Sequence, residues 1–130
     1  MKAIDVHHHY VPPQLIEETK RHGKVLGVDV SEVSGSYALS FAGSKPHRLQ
    51  PPLMDIDKRL DVMDRGQIAL ATLEANTNSL GYRLNGEQGE SWCHLYNDCV
   101  SELVKARPDR FIGMAVVPLQ DGTRAAKYSL

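Results

Sequence analysis

Ile4-Asp5-Val6-His7-His8-His9 is the stretch on which the architecture turns: a β-branched, apolar lead that ends in histidines spaced by one residue. Side chains on a strand alternate faces, so His7 and His9 point one way and His8 the other. Two neutral imidazoles placed like this reach a single divalent ion at ~2.0–2.1 Å, the Zn–N distance. Three consecutive histidines also occur in purification tags, but a tag sits at an unstructured end, whereas this run completes a strand. His8, facing away, is expected to be structural.

Working outward, residues 3–7 form the first strand. Pro13 then opens a short helix that packs on Leu15, Ile16 and Thr19 and closes at Gly23. From Val25 the period changes to two. Val28 and Val30, then Tyr37, Leu39 and Phe41, flank Ser34-Gly35-Ser36 and read as a β-hairpin inserted near 25–42. After a Pro-bearing connection over 45–53, Asp55 is the N-cap of a helix reaching Arg65, with Ile56, Leu60 and Met63 as its core stripe. Gly66 is placed for a left-handed turn. Ile68 to Leu73 then reads as a strand buried on both faces.

A loop is expected over 76–89, followed from about Glu90 by a helix whose stripe is Trp92, Leu95, Tyr96, Cys99 and Leu103. Pro108 ends it. The third strand spans Phe111 to Pro118, and Asp121 to Lys127 begins another helix. Strands alternating with helices imply an α/β fold of parallel strands joined by right-handed crossovers, with ligands at the strands' C-terminal ends. His7 and His9 sit at such an end.

Composition narrows the function classes. A chain of 130 residues suits one domain, and 42% hydrophobic and 24% charged residues with a net charge of −1 carry neither a disorder signature nor a basic field for nucleic acid. No stretch approaches the roughly 20 apolar residues of a membrane span, and the N-terminus lacks a signal-peptide plan, so a cytoplasmic protein is expected. The two cysteines, Cys93 and Cys99, fall ~9 Å apart along one helix, beyond disulfide reach and without metal-ligand spacing. Cys99 reads as core filler.

Four blocks in order carry a family resemblance: Asp5-x-His7-x-His9; Arg59-Leu60-x-x-Met63-Asp64-x-Gly66-Gln67-Ile68; Asn97-Asp98; and Arg107-Pro108-Asp109-Arg110-Phe111-Ile112-Gly113-Met114-Ala115-x-x-Pro118-Leu119-Gln120-Asp121. Together they resemble the amidohydrolase-related superfamily, in the branch of aminocarboxymuconate-semialdehyde and resorcylate-type decarboxylases. The resemblance implies a metal-dependent (β/α)8 TIM barrel in which His7 and His9 bind a divalent ion, usually zinc. Further ligands, a histidine and an aspartate, come from later strands. A whole barrel needs about 250 residues, so the expectation is a single partial domain over 1–130, a truncated or split barrel with about three parallel strands and the hairpin insert.

The implied activity is decarboxylation of a small carboxylate substrate, with metal-dependent hydrolysis as the alternative within the superfamily and a non-catalytic fragment or interaction protein as the alternative outside it. Arg48, after the hairpin, and Glu74 and Asn76, at the end of the second strand, are candidate substrate contacts, Glu74 and Asn76 by topology and Arg48 because guanidinium binds carboxylate bidentately. His22, His47 and His94 are expected at the surface. Asp5 is expected to support the local turn or a ligand rather than to bind the ion. Open sheet edges lead one to expect association with a second copy or a complementing chain.

Overall fold

The computed structural model describes residues 2–128. Its frame is a parallel three-stranded sheet of β1 (Ala3–His9), β5 (Ile68–Glu74) and β6 (Phe111–Gly113), in that spatial order. Between β1 and β5 the chain makes α1 (Pro13–Leu26), a separate antiparallel sheet of β2 (Val28–Val33), β3 (Ser36–Phe41) and β4 (His47–Arg48), and then α2 (Ile56–Arg65). The crossover from β5 to β6 is α3 (Gly86–Ala106), and α4 (Gly122–Ala125) follows β6. The expected α/β order with an inserted hairpin is present. The insert gains a third short strand, β4, inside the expected connection.

Local chemistry explains most element ends. Asp55 accepts from the Lys58 amide and caps α2 as expected. Asn85 caps α3 by accepting from Gln88, so that helix starts at Gly86, four residues before the start near Glu90 that sequence periodicity suggests. The first helix runs past Gly23 to Leu26, and the left-handed residue that ends it is Gly27, with φ 68°. Gly66 is not left-handed (φ −82°); Gln67, with φ 55°, makes that turn. The third strand is only Phe111–Gly113; beyond it, Asn97 in α3 takes over the backbone pairing, donating to the Val116 carbonyl (2.9 Å) and accepting from the Val116 amide (2.8 Å).

Packing is one-sided. Ala71 and Leu73 of β5 and Phe111 of β6 are buried with Met63 of α2, Trp92, Tyr96 and Val100 of α3, and Leu15 and Ile16 of α1. Trp92 and Tyr96 have no solvent exposure; burying 150–250 Å² each at about 25 cal/mol/Å² corresponds to roughly 4–6 kcal/mol of transfer free energy apiece. The opposite face stays open: Ile4, Ile112 and Met114 are exposed large hydrophobics. Thus β5 is not a strand buried on both faces; its apolar run reflects a covered helix side and an uncovered second side. Cys93, rather than Cys99, is the buried thiol, and both are free. No helix among the described residues is long and apolar enough to cross a membrane.

Candidate metal centre

β1 does not alternate simply. Asp5 pairs with Ala71 and His8 with Leu73, so three steps on β1 match two on β5, and one extra residue is inserted between them. Val6, 74% exposed, falls inside this bulge. Asp5 and His8 therefore both align with the helix-side row of Ala71 and Leu73, while His9 aligns with Glu74 on the open row. Simple alternation groups Asp5 with His7 and His9; the bulge separates them.

The consequence is a convergent set of donors. The His7 and His9 rings lie 4.7 Å apart, edge to face. Glu74, from the neighbouring strand, brings Oε1 to 2.5 Å from His7 Nδ1. One ligand atom from each of His7, His9 and Glu74 lies within 4.8 Å of the others. Two of the atoms here, His9 Nδ1 and Glu74 Oε1, are buried and make no hydrogen bond. Buried polar atoms are nearly always paired, so an unpartnered His9 Nδ1 beside the His7–Glu74 ion pair is what a cation site offers. The residues fit a divalent ion.

Neighbouring groups hold these side chains from behind. Asp5 Oδ1 accepts from the His7 amide (3.1 Å), and Asp5 Oδ2 lies 2.6 Å from His8 Nδ1. That is the local supporting role expected of Asp5, and it gives His8 its structural one. The Tyr10 amide donates to the Glu74 carbonyl at 2.9 Å. Arg59, only 5% exposed, donates from Nη2 to the His9 carbonyl at 2.8 Å and, more weakly, to Pro52 at 3.4 Å. Its guanidinium faces the Tyr10 ring at 5.7 Å, and burial pushes its pKa down, against the opposing pull of Asp5.

The other expected contacts lie apart from this set. Arg48 Nη2 turns to the Ser34 carbonyl in the hairpin's own turn, at 3.5 Å. Asn76 Oδ1 accepts from the Asn78 amide and caps a 3-10 turn. Sequence reasoning missed Arg59 and Asn97 as individuals. The signal for Arg59 was its i, i+4 relation to Met63, which places a cation on the buried stripe of α2. Cavities of about 510 Å³ beside Lys2, Asp64, Gln67 and Arg110, and of about 550 Å³ beside Tyr10, Met54, Ile56 and Leu103, do not include the histidines. The donors stand on the open face of the sheet.

No family model matches the chain. The gamma-resorcylate decarboxylase of Rhodococcus jostii (strain RHA1) is 38% identical over 80 residues, 61% of this chain and 24% of that protein, so the chain spans about a quarter of the length of that relative. Among solved structures, a dihydroxybenzoic acid decarboxylase from Polaromonas sp. JS666 with bound manganese and the inhibitor 2-nitroresorcinol superposes with a TM-score of 0.64 and 22% identity, over 98% of this chain and 33% of that one. A 2,6-dihydroxybenzoate decarboxylase complexed with 2,6-dihydroxybenzoate gives 0.64 and 22%, over 98% and 34%. The superpositions establish the fold as the N-terminal part of such a barrel. Over the matched 80 residues the chain is thus similar in sequence to a decarboxylase, and over nearly its whole length it has the fold of the N-terminal part of these barrels.

Proposed function

We propose that this chain carries the metal-binding first part of a lyase that decarboxylates a small carboxylate substrate, with His7 and His9 holding a divalent ion, zinc in our reading. The observation that carries the proposal is the convergence of the two rings, 4.7 Å apart, at the C-terminal end of β1. Strand ends of this polarity are where such barrels do their chemistry. The relative that is 38% identical is a decarboxylase, and a solved neighbour holds manganese.

When bound, a divalent ion supplies a concentrated positive charge that orients and polarises an oxygen of the substrate. The chain's own residues do the rest of what this segment can do. His7 and His9 supply neutral nitrogen donors, Asp5 fixes the His7 backbone, and Arg59 fixes that of His9. Arg48, whose one long contact is to the Ser34 carbonyl at 3.5 Å, is the residue we assign to a substrate carboxylate in the closed site, with Asn76 at the strand end as a lesser contact. The remaining wall of the barrel comes from outside residues 1–130, in a longer product or from another chain, a reading supported by the open face of Ile4, Ile112 and Met114. Action in the cytoplasm accords with two free thiols.

The test is carbon dioxide release from 2,6-dihydroxybenzoate with added zinc or manganese, by wild type and His9→Ala, in the presence and absence of candidate complementing chains. Turnover that needs the metal and vanishes in His9→Ala supports the proposal. Turnover unchanged by His9→Ala defeats it.

A further inference from the structure

We infer that Glu74 is a third protein ligand, so that this chain holds a divalent cation with its first two parallel strands alone, as a two-histidine, one-carboxylate site. The inference rests on the reading that His7 and His9 bind metal, and it moves Glu74 from the substrate's side of the site to the ion's.

Register is the first support. His9 and Glu74 are direct neighbours on β1 and β5, so the sheet itself fixes their separation. Both backbones are tied: the Glu74 carbonyl accepts from the Tyr10 amide, and the His9 carbonyl from Arg59. A ligand set prearranged by two adjacent strands loses little freedom on binding.

Unsatisfied valence is the second. Glu74 Oε1 lies 2.5 Å from His7 Nδ1 yet makes no hydrogen bond, and it is buried. His9 Nδ1 is buried and unpartnered as well. Glu74 Oε1 meets His7 Nδ1 as a close ion-pair contact without hydrogen-bond geometry, and one ligand atom from each of His7, His9 and Glu74 lies within 4.8 Å of the others, near enough to share a cation once the carboxylate turns from the ring.

Charge is the third. Two imidazoles and one carboxylate with an open position make the donor set of one established class of catalytic zinc sites, and the carboxylate offsets part of the ion's double charge. As a contact for an anionic substrate, Glu74 would instead repel it, since like charges at hydrogen-bond range oppose each other. Glu74 is therefore better placed to hold the cation than the carboxylate that the cation attracts.

Titration of the full chain with zinc alone, followed by calorimetry and native mass spectrometry, tests the inference, with cobalt as a spectroscopic probe. Wild type is expected to take up one ion per chain. Glu74→Gln, nearly isosteric, and Glu74→Ala should each weaken zinc binding at least about tenfold, the lower end of what loss of even an outer-shell partner costs, and should shift the cobalt absorption bands. Wild-type affinity and unchanged cobalt bands in both variants overturn the role of Glu74 while leaving His7 and His9 standing, provided that His9→Ala abolishes uptake. A wild-type chain that takes up neither metal overturns the third ligand and the histidine site together. Circular dichroism identifies any variant that fails to fold; if Glu74→Ala does, Glu74→Gln decides by the same criteria.

Discussion

Removing the Asn97 amide should cost the fold about 2 kcal/mol. Its side chain makes two hydrogen bonds to one residue, donating to the Val116 carbonyl at 2.9 Å and accepting from the Val116 amide at 2.8 Å. Each bond is worth about 0.5–1.5 kcal/mol net, and leaving the partner group buried and unpaired raises the cost toward 1–3 kcal/mol. Val116 is buried, which favours the upper figure. The groove beside it, lined by Asn97, Val100, Gly113 and Met114, is open enough to admit water, which favours the lower. The sum for Asn97→Ala is then about 2 kcal/mol, a midpoint shift of roughly 1 M in urea at a slope of 1–3 kcal/mol/M.

Asn97→Asp sharpens the test. It keeps the acceptor for the Val116 amide but sets a carboxylate against the Val116 carbonyl, so at pH 7 it should be at least as destabilising as alanine. Protonating the carboxyl restores a donor, and part of the loss should return as the pH falls through about 4. Equilibrium urea unfolding at pH 7 and pH 4, followed by Trp92 fluorescence, measures both variants. An alanine variant within about 0.5 kcal/mol of wild type would refute the reasoning, because two bonds to a buried backbone cannot be that cheap to lose.

Arg59→Met should be no less stable than wild type in urea unfolding: it loses one strong bond to the His9 carbonyl but relieves a buried cation whose Nε and Nη1 have no partner. A loss above about 1.5 kcal/mol, the upper end of what one net hydrogen bond is worth, would contradict this. Burial holds the Cys93 thiol up at about 11, so in a Cys99→Ser background labelling by a disulfide reagent should quicken about tenfold per pH unit between pH 8 and 10. Because the unfolded thiol ionises near pH ~8.5 while the folded one keeps its proton, Cys93's contribution to stability is intact below ~8.5 and lost as the pH rises toward about 11. A Cys93→Ala variant with the same alkaline slope as wild type excludes that linkage. Gly27→Ala should lower the melting temperature by a few degrees, since φ is +68° and a left-handed alanine costs about 1–2 kcal/mol; an unchanged calorimetric melt counts against the strain.

The two features that mattered most were readable for different reasons. The His7–His9 pair was legible because strand alternation is local, and the parallel order of β1, β5 and β6 because helices of ordinary length separate three apolar runs. The supporting role of Asp5 was legible but its partner His8 was not, since a bulge depends on the partner strand's register and leaves no mark in five residues of sequence. Glu74 was found by topology, as a strand-end residue, but its proximity to His7 depends on which neighbour β1 chooses. The start of α3 was missed because Gly86 and Gly89 look like loop until Asn85 is seen to cap them. Gly23 looked like a helix end, and the chain instead used the next glycine that faced no helical demand, Gly27.

The extra residue in β1 makes the spacing His-x-His incomplete as a recipe. Anyone who moves Asp5 through His9 onto a regular strand, keeping Val6 but not the bulge, puts the Asp5 equivalent on the face of the His7 and His9 equivalents and takes its carboxylate away from His8. Deleting Val6 in place leaves two steps from Asp5 to His8, the same two that separate Ala71 from Leu73, so the bulge closes while His8 still meets Leu73 and His9 still meets Glu74. What has to be carried over is therefore the register of Asp5 and His8 against the neighbouring strand, and the number of residues before the first histidine counts as much as the number between them.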